Sequence, residues 1–230
     1  MKSLVLTTCA VLLSLAVSCK GGDGNKDVDL RQGLQAMVLQ QIDIPEGMQS
    51  LGPSFSTNAE AAGGLGGGPT EAQLNAWGRL LGHKNDFQST EPVSTSFLVG
   101  ISTAVSLYET DQGASDSFAD RVASARQVDW QQSHSDLTEF QQEELARDLA
   151  VDDLYWIHLS GYQQTGPAVK RLVTDDQIVF RVGRAWGFLG VVSEATASED
   201  DRSFMLAQID ALLLTQIEHT KDGLDSGLLD

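Results

Sequence analysis

The sequence predicts an α+β domain: an antiparallel sheet of about five strands with helices packed on it in two layers. Three observations predict it. From Val93 to Tyr108 the odd positions read Val93, Thr95, Phe97, Val99, Ile101, Thr103, Val105 and Leu107, while the even ones are mostly small. A period of two sustained that long marks a strand, bent at Gly100, with its odd face on a core. Further on, Ile178–Val182 and Ala185–Ser193 flank Gly183-Arg184, which reads as two strands joined by a tight hairpin turn. Near the end, Met205, Ile209, Leu212, Leu213 and Ile217 recur at helical spacing behind a Ser198 cap. Strands joined by hairpins pair antiparallel, and a one-faced helix must cover them.

The first element is an export signal. Lys2 precedes an apolar run through Leu15, and Ala16-Val17-Ser18 offers small residues at a cleavage site. The run is too short to cross a membrane, which takes about 20 apolar residues. Leu15-Ala16-Val17-Ser18-Cys19 resembles a lipobox, in which the cysteine thiol is acylated and becomes the new N-terminus. Ala16 stands where lipoboxes prefer Leu, and an ordinary signal peptidase site is the alternative. Of the two cysteines, Cys9 leaves with the signal, so Cys19 has no internal disulfide partner. The expected organisation is a lipoprotein signal peptide over 1–18, a flexible tether over 19–29, one domain over 30–220 and a frayed tail over 221–230.

Within the domain, Leu30, Leu34, Met37, Val38 and Ile42 predict a helix stopped by Pro45 and Gly47. Residues 54–62 read as a short capped helical turn, and the glycines of 63–68 as a loop. Thr70 with Gln73 forms a capping-box pair for a short helix to Trp77. Arg79–Phe87 is a candidate antiparallel neighbour of the long strand, which would bury Val99 and turn Ser102 to water. Ala114, Phe118, Val122 and Ala125 share one face of the following helix, and Leu154–Leu159 is a further strand. A long Ser/Val strand, a Ser115-x-Ser117-Phe118-Ala119 helix ending near Trp130, and the Val179-Phe180-Arg181-Val182-Gly183 hairpin resemble bacterial membrane-anchored lipoproteins. Over 30–217 that resemblance implies a domain similar to the PsbP/Mog1-like antiparallel-sheet fold. It implies no chemistry.

Charge narrows the partners. The chain has 230 residues with 15 Lys+Arg against 32 Asp+Glu, net −17, so it repels phosphate backbones and nucleic acid is not an expected partner. There is no HExxH, CxxC, GxSxG or Walker loop, and His83, His134, His158 and His219 lack a metal-spaced partner. Asp23, Asn25, Asp27 and Asp29 alternate like an EF-hand loop, but Val28 and Leu34 occupy its glycine and glutamate positions. Residues 136–153 are strongly acidic, with Arg147 as the one basic residue, and read as a solvated face. Tyr155, Trp156, Tyr162, Trp186 and Phe188 read mainly as core, with some left for a binding patch. No catalytic, metal or cofactor residue is assigned; Cys19 is the candidate modification site. The expectation is a non-enzymatic cell-envelope module, extracytoplasmic at the cell or outer membrane. Membrane lipid on Cys19 would hold it, and a protein or small molecule would be its ligand. The alternative is an envelope hydrolase built on a carboxylate pair.

Overall fold

The computed structural model describes residues 23–63, 68–90, 98–166, 169–195 and 199–229. Cys19, the signal segment, the first positions of the long strand (93–97), the loop at 64–67 and the Ser198 cap lie outside them. Eight strands form one antiparallel sheet among the described residues, not about five. They are β1 (Met48–Ser50), β2 (Ser54–Ser56), β3 (Arg79–Ser89), β4 (Leu98–Tyr108), β5 (Thr138–Glu144), β6 (Asp153–Gly166), β7 (Val169–Val182) and β8 (Ala185–Ala195). The order across the sheet is β1-β3-β4-β8-β7-β6-β5, with β2 also paired to β3. The hairpin turn stands where the sequence places it: Val182 pairs with Ala185, and Gly183 takes φ 52°, which favours glycine.

Helices cover both faces, so the layers number three rather than two. On one face lie α1 (Asp23–Ala36) and the long α6 (Glu199–Asp225); on the other lies α4 (Asp111–Ala125), with the short α5 (Trp130–Ser133) beyond it. The α6 stripe of Met205, Ile209, Leu212, Leu213 and Ile217 is buried as its spacing predicts, largely against Ile101, Trp156, Ile178, Phe180 and Leu189. On the far side Phe118, Val122 and Ala125 of α4 pack on Tyr155, Ile157, Leu159 and Val179. Thr110 caps α4 by accepting from the Gly113 N–H. Two short helices, α2 (Asn58–Ala61) and α3 (Glu71–Ala76), follow β2; each has a capping box, the second being the Thr70/Gln73 pair.

The long strand keeps its two-residue period only in part. Ile101, Thr103, Val105 and Leu107 are buried on the α1/α6 side. Between Leu98 and Gly100 the pairing with β8 slips by one residue, so Leu98 joins Ile101 in the core and Val99 is the extra, half-buried residue. The even face is not free either: Ser106 and Tyr108 are buried beneath the other layer.

Both ends of the domain also depart from expectation. The first helix starts at Asp23, inside the stretch read as tether, and stops at Ala36. There the Gln40 side-chain amide donates to the Gln35 and Val38 carbonyls, leaving Ile42 in a separate turn, 92% exposed. The tail does not fray at residue 221: α6 runs to Asp225, Leu229 is buried against Gly33, and Arg184 donates to its carbonyl. A Cβ on Gly33 would sit 2.5 Å from Leu229, and one on Gly223 2.5 Å from Met37. Only glycine lets α1, α6 and the tail close up this far.

The acidic stretch forms no helix. Its first half is the edge strand β5, and its acids find bases: Glu144 with Arg126, Glu139 with Lys170, and Asp152 and Asp153 with Arg181. The bulge in β4 can be tested directly. Ile101→Asp should cost about 3–5 kcal/mol in urea melts, and Val99→Asp about 1 kcal/mol. Equal losses would place Val99 in the core beside Ile101.

Candidate ligand cleft

The helical layer over the α4 face is incomplete. The helix packs on β4, β7 and β8 and reaches β6, while over β3 the cover comes from α2 and α3. Between these two covers runs a cleft of about 200 Å³. Its floor is Ala104, Ser106 and Trp186, one wall is the Ser117–Arg121 turn of α4, and the other includes Ser56 and Leu74.

Arg79 lies along the cleft floor, held by four neutral acceptors. Its guanidinium donates to Ser106 Oγ (3.1 Å), the Ser56 carbonyl (3.2 Å), Ser56 Oγ (3.0 Å) and Asn58 Oδ1 (2.9 Å). A Cβ on Gly82 would stand 2.1 Å from its Nη2, so the glycine makes room for the arginine across the strand. Burial depresses the Arg79 guanidinium below the ordinary arginine range. These acceptors satisfy four of its five N–H groups and, being neutral, leave its charge uncompensated.

Arg121 enters the same cleft from α4. Burial lowers it too, with nothing acting in the opposite direction. Among the described residues it has no hydrogen-bond or ion-pair partner. Lys84 also borders the cleft, but it is matched by Asp86 at 2.8 Å, which in turn accepts from Ser102. Asp120 completes the charged lining.

The α4 wall is pinned to the floor by a polar knot. Tyr108 Oη and Ser117 Oγ lie 2.6 Å apart, and the Trp186 indole N–H donates to Tyr108 at 2.6 Å. Burial raises the Tyr108 phenol, so it stays neutral and keeps its proton for this contact. The knot fixes the indole plane of Trp186 beside the two guanidiniums. The arrangement can hold a small molecule by stacking and by charge-assisted hydrogen bonds; His83 also borders the cleft, its imidazole lowered by burial.

A second polar cluster lies on the opposite face, beneath α6. Asp176, fully buried, accepts from Trp156 Nε1 at 2.7 Å and from His158 Nδ1 at 2.8 Å. His158 Nε2, Asp176 Oδ2, Thr174 Oγ1 and Ser193 Oγ are buried without a protein partner. Buried polar groups of this kind are met by ordered water in globular proteins. The dyad looks like the base half of a hydrolytic triad, but no hydroxyl lies within hydrogen-bond reach of Nε2.

His134 of the α5 corner pairs with Asp175. Its Nδ1 faces the Trp130 carbonyl at 2.9 Å and must donate; its Nε2 lies 3.2 Å from Asp175 Oδ2. A neutral imidazole carries one N–H, so this pair holds an extra proton on one side or the other. Burial raises the Asp175 carboxyl above the usual carboxylate range, while Gln177 and His134 pull it down.

The sequence-level candidates are therefore dispersed. Cys19 lies outside the described residues. The four histidines stay apart: His83 borders the cleft with its ring tilted against Phe55, and His219 lies near Asp43. Glu139 and Glu143 share a shallow groove with Arg147 and Arg202. Tyr155 and Trp156 are core; Trp186 and Phe188 are half-buried. Sequence reasoning missed Arg79 and Arg121. Arg121 had a signal: it sits three residues after Phe118 and beside Val122 on the apolar stripe of α4, where a cation is out of place.

No protein-family model matches the chain, and no curated protein matches it. Among solved structures it is similar to the extracellular domain of PknH from Mycobacterium tuberculosis, with 9% identity and a TM-score of 0.44, over 84% of this chain and 96% of that one.

The Asp175 shift has a measurable sign. A folded value above the unfolded one gives stability that is complete below the unfolded value and is lost as pH rises through the folded one. Asp175→Asn escapes that loss, so the variant should gain on the wild-type protein as pH goes from about 3 to about 7. Urea melts at both pH values measure the gap; an unchanged gap would mean that burial does not penalise the ionised acid.

Proposed function

We propose that this protein is a lipid-anchored, extracytoplasmic module of the bacterial cell envelope that binds a small molecule in the α4 cleft. The carrying observation is the cleft itself. A concavity of about 200 Å³ gathers a fixed indole, apolar side chains, the buried Arg79 guanidinium and the half-buried Arg121, the mixture that small-molecule sites display.

The anchor rests on the signal segment and Cys19. Among the described residues no helix is long and apolar enough to cross a membrane. Acylation adds about 0.8 kcal/mol per buried CH₂ and would hold the chain at the bilayer, with the cell membrane or the outer membrane as its place. A net charge of −17 argues against nucleic acid as a partner. The resemblance to lipoproteins with a PsbP/Mog1-like domain points the same way.

Two measurements test the two halves separately. Cys19→Ala should move the protein from the membrane pellet to the soluble fraction, and retention in the pellet would remove the anchor. For the cleft, the Trp186 indole N–H, identified with Trp186→Phe, should shift in an NMR titration with small aromatic probes. Probes that move other indole signals and leave Trp186 still would remove the cleft from consideration.

A further inference from the structure

We infer that the ligand of the cleft carries an oxyanion, a carboxylate or a phosphate, seated at Arg79 and Arg121 with its apolar part against Trp186. The inference rests on the reading of the cleft as a binding site and adds the chemistry of its occupant.

The argument is one of charge placement. In a chain with 32 acids and 15 Lys+Arg, a basic residue has little difficulty finding a carboxylate. Arg31, Arg126, Arg147, Arg171, Arg181 and Lys170 all do so. Arg79 is buried and Arg121 half-buried in the cleft, yet among the described residues neither has an acidic partner. Taking a cation out of water without a counter-charge costs free energy. A fold that holds two such groups in one cavity has prepared it for an anion from outside.

Other features of the lining fit. Asp120 borders the cleft, but neighbouring positions on a helix point in different directions, and Arg121 draws no compensation from it. Asp86 is taken by Lys84 and Ser102. Arg79 is immobilised by its four acceptors and by the space over Gly82, so it presents its charge without further ordering. Arg121 is the free fork that closes on the oxyanion, since guanidinium geometry matches two oxygens of a carboxylate or phosphate. Leu74, Ala104, Val105 and Trp186 add an apolar surface to a lining that also carries His83 and three serines, so the ligand is an anion with an organic body rather than a bare ion.

The test uses the soluble Cys19→Ala chain with benzoate, phenyl phosphate and neutral benzamide as probes, at one ionic strength, read at the Trp186 indole N–H. At least one anion should bind about tenfold or more tightly than benzamide, the difference expected for a charge-assisted hydrogen bond. Whichever anion binds better separates a carboxylate from a phosphate ligand. Arg121→Gln should erase the preference for the anion while benzamide binding persists, and Arg121→Lys should restore part of it; unchanged indole dispersion shows that both variants fold. Equal binding of benzamide and the anions would overturn the oxyanion while leaving the cleft as a binding site. Anion affinity untouched by Arg121→Gln would overturn it too. Failure of all three probes to move Trp186 would take the cleft reading down with it.

Discussion

Along the middle of the central strands both sides are covered, and the rest of the molecule follows from that. Once β4, β6, β7 and β8 are paired, nearly every side chain there belongs to the layer under α6 or the layer under α4, and Val192 is one of few left exposed to absorb a slip. The pairing of β6 with β7 runs from Asp153↔Arg181 to Gly166↔Val169, and the same register brings His158 opposite Asp176. A slip of β6 by one residue would send Trp156 to the α4 side and Tyr155 beneath α6, exchanging side chains between two cores that are built for different helices. The bulges between Leu98 and Gly100 and between Arg79 and Leu81 are the places where the rule is suspended on purpose. The second of them turns Arg79 onto the cleft side of β3.

Much of this was legible in the residues. The stripes of α4 and α6, the Gly183-Arg184 turn and the alternation of Ile101 to Leu107 are hydrophobic patterns, and burial reads such patterns faithfully. The edge strand β5 was not legible, because an edge needs few apolar side chains; of its seven residues only Phe140 is half-buried and apolar. The polar ends of β6 and β7, from Gly161 to Thr174, were missed for the same reason. Ile42 misled in the other direction: its spacing suits the helix, but Gln40 ends the helix first.

The polar sites were harder. Asp176 and His158 are 18 positions apart, and Arg79 and Arg121 stand on different elements, so register and layer packing bring them together rather than any spacing in the chain. A cation within an apolar stripe was the single local clue, and it points at Arg121. Acidity, by contrast, was overweighted as a property of one segment. The acids of β5 and the following loop are largely spent on neighbouring arginines and lysines, and their charge, with the bulge at Glu139, blunts an edge that would otherwise accept another strand.

The glycines that bring α1, α6 and the tail together bear on mechanics. Were lipid to hold the chain at Cys19, as proposed, it would be pulled through α1 whenever membrane and surroundings moved apart. Its first helix is interlocked with the last one through Met37 over Gly223 and Leu229 over Gly33. Traction on the tether is therefore passed to α6 and from there across the sheet, instead of peeling away a loose leading helix. Gly223→Leu would wedge that joint open, and the first event under load would become the loss of α1, with the α4 cleft on the far face still intact.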